Sequence, residues 1–385
     1  MAEPHQSIGQ MLYPLWLVGG NLVARLGGAI ILLVIGRSFA PDTLGDYFAL
    51  LAVLGLAVTA TQAGSGPLLV RLAQANRFLA AFMLVGFRGL IAVIVVTVVI
   101  SQTKLGISDY WPLLLMPLAC ALSPDWIISA RNEFSKLAAL AVLAQLVGIT
   151  TAIWAAATQQ IIVLYGVAPA VSVANLVCSS VLAFRLRKDH PPRSNPAIPL
   201  QDQRTAIGLI GFTLLAGFLP NFDFALLSVG DTTLFLAQRV FLVCAGLLAA
   251  IAGALFAKNQ SGYLRDGWLL VPMAVVSLLL FSVPHLITSL IYGVKSADLT
   301  ELLRTGALWP LLLALIGRQI LILQETAHSF LLGWLCLVVL MLTALLAPSF
   351  TDPGDALVWM QARFAILLCI LHAWHWQHRP RRATA

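Results

Sequence analysis

The sequence predicts an all-α polytopic membrane protein with about twelve transmembrane helices in two halves of six. Three observations carry this expectation. Hydrophobic residues fill 60% of the 385 positions and charged ones only 10%, the apolar runs are long enough to cross a bilayer, and one polar interval divides them evenly. A soluble globular chain is about 25% charged. The net charge of +7 would suggest a nucleic-acid partner for a soluble protein. In a membrane protein the basic residues are sorted by membrane side first, and no nucleic-acid partner is expected.

A helix needs about 20 mainly apolar residues to cross the hydrocarbon core, and only helices or closed barrels can cross it. The sequence lacks the short alternating strands of a barrel. Runs near 12–35, 44–63, 79–100, 111–128, 137–157 and 161–184 supply the first six spans. Those near 206–228, 234–257, 268–291, 302–323, 328–347 and 356–376 supply the second six. The leading segment "MAEPHQSIGQ" has no Lys or Arg, and the run after it is longer than a signal-peptide core, so it reads as an uncleaved first span.

The longest polar interval is "RLRKDHPPRSNPAIPLQDQR", 185–204, rich in Pro and in basic residues. It sets an N-terminal lobe at 1–184, a cytoplasmic linker at 185–204 and a C-terminal lobe at 205–385 with a short basic tail. A linker between equal halves suits a transporter built from two repeated bundles. The internal match of "APDTLGDYFAL" (40–50) with "VGDTTLFLAQR" (229–239) is weak. With the N-terminus inside, fourteen of the 23 Lys and Arg fall in inner segments, and six (Arg37, Lys104, Arg239, Lys295, Arg304 and Arg363) at outer ends. The excess of base places both termini in the cytoplasm.

All five cysteines lie in apolar runs without a C-x-x-C or a Cys/His cluster, so neither disulfide, metal nor other cofactor is expected. His372, His375 and His378 recur at helical spacing, with no carboxylate or Cys beside them. They read as a basic, aromatic helix end at an anionic inner leaflet. Trp16, Trp111, Trp126, Trp154, Trp268, Trp309, Trp359, Trp374 and Trp376 fall near span ends, as an interfacial aromatic belt would.

One stretch breaks the apolar run with four charges: "SPDWIISARNEFSKLA", Ser123 to Ala138. As topology it is the elbow between the fourth and fifth spans. Extended to "SPDWIISARNEFSKLAALAVLAQLVGI", it resembles the joint between the fourth and fifth helices of Wzx-type polysaccharide-unit flippases, where Pro and Trp precede a polar elbow. Three further stretches are similar to that family: "GGNLVARLGGAIILLVIGRSFAPDTLGDYFALLAVLGLAVTATQAGSGPLLVRLAQ" (19–74), "LPNFDFALLSVGDTTLFLAQRVFLV" (219–243) and "SVPHLITSLIYG" (282–293). The resemblance implies the multidrug/oligosaccharidyl-lipid/polysaccharide exporter superfamily, with two six-helix lobes around a central cavity that opens alternately to either side. It implies transport of an oligosaccharide on undecaprenyl pyrophosphate across a bacterial inner membrane, for O-antigen, capsule or exopolysaccharide. The implied partners are that substrate, membrane lipids and other polysaccharide-assembly membrane proteins. A fourteen-helix lipid II flippase fits worse, because two spans would be missing.

A charge at mid-membrane costs at least about 2.5–3.5 kcal/mol, so it must face a bundle interior or a wet cavity. Arg25 and Arg88 stand near the middle of the first and third spans, and Asn21 shares a helix face with Arg25. These residues are expected to line the cavity and attract pyrophosphate or acidic sugars. The alternative is a structural bond to backbone carbonyls within one lobe. Asp223 is the most isolated acid in any span and reads either as an ion-coupling carboxylate or as a group meeting water or Arg239 near the surface. Arg318 reads as a cavity residue or as a cation snorkelling to headgroups. His285, after Pro284, reads as part of a helix break.

Two competing functions remain. Ion-coupled multidrug efflux would favour acidic interior residues for cationic drugs, whereas two central arginines favour an anionic substrate. A membrane-embedded polymerase or ligase would need a sizeable outer loop with paired acids. The outer loops here are short, so an enzyme is not expected.

Overall fold

The computed structural model describes residue 23 and residues 26–62, 65–102, 107–131, 133–189, 203–227, 231–257, 263–293, 296–323 and 331–378. The described residues form an all-helical protein. The N-terminal half comprises α1 (Leu26–Ser38), α2 (Pro41–Gln62), α3 (Gly66–Gln74), α4 (Phe78–Gln102), α5 (Ile107–Leu122), α6 (Asp125–Ala130), α7 (Phe134–Thr158) and α8 (Ile161–Asp189). The C-terminal half comprises α9 (Gln203–Phe218), α10 (Phe222–Leu227), α11 (Thr232–Ala257), α12 (Tyr263–Ser282), α13 (Pro284–Tyr292), α14 (Ala297–Thr305), α15 (Trp309–Leu323), α16 (Leu332–Leu345) and α17 (Pro353–Gln377). Eight helical stretches among the described residues are long and apolar enough to cross a membrane, or nine with the bent pair α12–α13 as one. The expected span at 206–228 is met by the shorter α9, while those at 12–35 and 328–347 lie partly outside the described residues and are seen as α1 and α16.

Sequence chemistry explains the breaks. Pro124 and Pro284 each stand where a helix restarts, because proline supplies no N–H to the preceding turn but suits a first helical position. At Val283 the bend between α12 and α13 is 91°. The ninth span, expected over 268–291 with a helix break beside Pro284, turns sharply at that point. α13 then ends on Gly293, whose φ of 69° is the left-handed conformation that only glycine adopts without cost. The seventh helix also breaks, at Leu219–Asn221 around Pro220. In the linker, 185–189 continue α8 as helix.

Lipid replaces water outside the bundle. Leu79, Met83, Phe87, Leu90 and Ile94 of α4 are exposed apolar side chains on a helix that tertiary packing barely covers. The helices of each half pack on one another, α7 and α5 on α8, α9 on α16, and α15 on α12 and α17. Close approach uses glycine: a Cβ on Gly333 would lie 2.6 Å from the backbone N of Phe212. We therefore expect Gly333→Ala to force α16 off α9 and to lower the thermal unfolding midpoint.

The elbow at Ser123 to Ala138 is built inward. Trp126 is buried, meets Phe82 edge to face at 6.0 Å and packs with Leu69, Ala73 and Ala81. It is therefore a core residue joining α3, α4 and α6, and not part of the interfacial belt. Trp309 is likewise fully buried, stacked on Phe241 at 5.3 Å. Trp111, Trp154, Trp268 and Trp376 remain exposed, as belt residues would be. Truncation of Trp126 to alanine should cost roughly 3 kcal/mol, from the cavity it leaves. The same change at exposed Trp111 should leave the unfolding midpoint nearly unchanged.

Candidate functional site at the lobe seam

The two halves meet along a seam formed chiefly by α2 and α11, with α9 and α10 also touching α2. Its tightest point is Gly45, where a Cβ would come within 2.3 Å of the Thr232 side chain. Two turns further along α11, Arg239 reaches across to donate from Nη2 to the carbonyl of Phe48 at 2.9 Å. Its guanidinium lies 4.7 Å from the centre of the Phe48 ring. A second crossing joins α1 to α13: Arg37 Nε donates to the carbonyl of Leu290 at 2.8 Å, and Gly36 lies against Ile291 and Tyr292. Tyr292 is tied in turn to α11, its hydroxyl donating to the carbonyl of Leu236 at 2.8 Å.

Both crossing arginines thus bond main-chain carbonyls. A carbonyl acceptor leaves no bare carboxylate when the contact parts, so this seam separates at less cost than a buried ion pair. Beside it, Gln238 is fully buried on α11 with neither amide atom partnered among the described residues. Arg239, expected at an outer end, is a part-buried side chain that bonds from one half to the other.

The sequence-predicted site residues are dispersed. Asn21 and Arg25 lie outside the described residues. Arg88 is buried within the N-terminal half, where Nη2 donates to the carbonyl of Cys120 at 3.2 Å while Nε has no partner among the described residues. Arg318 pairs with Asp266 at 2.6 Å, tying α15 to α12, so its head is not simply snorkelling. Asp223 is fully buried, and its partner is neither water-exposed nor Arg239: it is Arg363, which donates to Oδ1 from Nη1. Arg363 also donates to Thr343 Oγ1 at 2.8 Å and to the carbonyl of Leu340. Its three contacts join α10, α16 and α17.

Sequence reasoning placed Arg363 at an outer end and missed this centre. The signal was available, because Arg363 stands in the apolar run 356–376 as Arg88 does in 79–100, and the same insertion cost singles out both. His372 faces Gln319 at 3.3 Å, and His378, at the C-cap of α17, stacks on Trp374 at 4.4 Å. Among the described residues no group of His, Cys, Asp or Glu is arranged to hold a metal.

No family model matches the chain, nor does the sequence of any curated protein. Solved structures do match. A MOP superfamily transporter from Pyrococcus furiosus aligns over 97% of this chain and 98% of its own, with a TM-score of 0.55 and 16% identity. A MATE transporter in a bent conformation aligns over 94% of each chain, with a TM-score of 0.54 and 13% identity. A point variant of a MATE aligns over 94% of this chain and 95% of its own, at 0.52 and 15%. The protein is a multi-pass membrane protein whose fold is that of the MATE-like transporters it aligns with.

Proposed function

We propose that the chain carries a lipid-linked oligosaccharide, on undecaprenyl pyrophosphate, from the cytoplasmic to the periplasmic leaflet of a bacterial inner membrane, both termini being cytoplasmic. Opening and closing of the seam would supply alternating access. The observation that supports an anionic substrate is the charge of the interior. Arg88 and Arg363 are buried and Arg239 is wedged into the seam, against one buried carboxylate, Asp223, among the described residues. The unpaired Nε–H of Arg88 is the donor offered to phosphate or acidic sugar in this reading, together with Arg25 and Asn21 of the first span. Arg318, engaged by Asp266, ties α15 to α12.

The Pyrococcus neighbour is described as having a binding pocket of reverse polarity that suggests a different function. Substrate charge on this fold therefore has to be argued from side chains. Ion-coupled efflux of small molecules suits the fold equally, so the test sets the two against each other. Proteoliposomes containing the protein should translocate a fluorescent undecaprenyl-pyrophosphate oligosaccharide and leave a cationic dye untouched. Dye transport with a static lipid would replace flipping by efflux.

A further inference from the structure

Beyond the bend at Val283 lies a cavity of about 880 Å3 between α13 and α14. Its polar lining comprises His285, Thr288, Ser289, Thr300, Glu301 and Arg304. The donors among these are largely spent. Thr288 donates to the carbonyl of His285 at 3.0 Å, Ser289 to that of Leu286 at 3.1 Å and Thr300 to that of Ser296 at 2.7 Å. Thr288 is buried, with its hydroxyl 3.4 Å from that of Thr300, so the hydroxyl oxygens of Ser289 and Thr300 are the lone pairs left beside the Glu301 carboxylate, a surface that a ligand rich in N–H groups would satisfy.

Arg304 supplies the opposite chemistry one turn along α14. It stands three residues from Glu301, yet no ion pair joins them, and neither side chain has a partner among the described residues. A ligand with a cation and an anion a few ångströms apart would engage both. The leucines of α13 point to where that ligand comes from. Leu286 at the cavity and Leu290 beyond it are 55% and 58% exposed, on a helix turned through 91° from α12. Such a helix lies along the bilayer interface if α12 spans it.

We propose that this cavity binds the headgroup of a phospholipid that carries a primary ammonium beside its phosphate, and that the bound lipid braces the seam. The ammonium sits among Glu301, Thr300 and Ser289, the phosphate meets Arg304, and the acyl chains run along Leu286 and Leu290. The bracing follows from shared backbone: the same α13 that walls the cavity accepts Arg37 at the carbonyl of Leu290 and holds α11 through Tyr292. A quaternary choline has no N–H to offer the lone pairs, and a glycerol headgroup has no cation for Glu301.

The test is native mass spectrometry of the full chain with phosphatidylethanolamine and phosphatidylcholine of matched acyl chains. Alongside it runs the distance between spin labels at exposed positions Asp42 and Asp355, in nanodiscs of each lipid. The expected result is a roughly tenfold preference for phosphatidylethanolamine. Glu301→Gln should abolish that preference and Arg304→Gln weaken retention of both lipids, while both variants unfold at the wild-type temperature. Phosphatidylethanolamine should also narrow the label distance distribution in wild type only. Equal retention of the two lipids by wild type, or a preference that survives Glu301→Gln, overturns the site. Preference with label distances unmoved by the lipid overturns the bracing.

Discussion

Arg363→Ala is expected to destabilise the protein by about 3–5 kcal/mol, the largest single effect of any substitution considered, because it strands a buried carboxylate. Asp223 would lose its counter-ion in a site fully closed to solvent, and Thr343 and the Leu340 carbonyl would lose their donor. Three helices, α10, α16 and α17, would lose their common tether. Thermal unfolding in detergent measures the loss. The paired change Asp223→Leu with Arg363→Met should recover most of it, since two apolar groups leave no charge uncompensated. That double variant also separates two roles for Asp223. Transport that survives in it assigns the pair to folding, whereas a stable fold without transport assigns Asp223 to ion coupling.

Arg239→Ala should open the seam instead of unfolding the protein. The substitution removes a charge-assisted hydrogen bond to the Phe48 carbonyl, worth about 1.5–3 kcal/mol, and a ring contact worth about 0.5–1 kcal/mol. If both act only while the halves touch, the balance between closed and open seams moves at least about tenfold. Spin labels at Asp42 and Asp355 should then report a longer, broader distance distribution with little change in unfolding temperature. An unaltered distribution would mean that the apolar contacts of α2 and α11 hold the seam alone. Gly45→Val works by a different route, since its side chain would collide with Thr232, and it should shift the same distribution in the same direction.

The bundle was legible in the sequence because hydropathy reports length and polarity, and those decide what crosses a bilayer. Pro284 marked a helix break, but proline alone does not reveal an angle such as the 91° turn at Val283. Tryptophans near span ends misled for a related reason. Position along the membrane normal says nothing of which face a side chain takes, and Trp126 and Trp309 take the buried one.

Partners of buried charges were the least legible feature. Asp223 and Arg363 are 140 residues apart, and only the folding of α17 against α10 and α16 brings them together. The seam arginines were hidden likewise, because their acceptors are main-chain carbonyls that leave no mark in a side-chain pattern.

In the function proposed above, the protein moves an anionic, lipid-linked sugar across the inner membrane. The most direct test of this function is the leaflet distribution of lipid-linked oligosaccharide in inner-membrane vesicles from cells lacking the gene, with and without a restored copy. The account predicts accumulation on the cytoplasmic leaflet, relieved by the wild-type copy and not by one stripped of Arg25 and Arg88. Identical leaflet distributions in both strains, with no second flippase present, would contradict it.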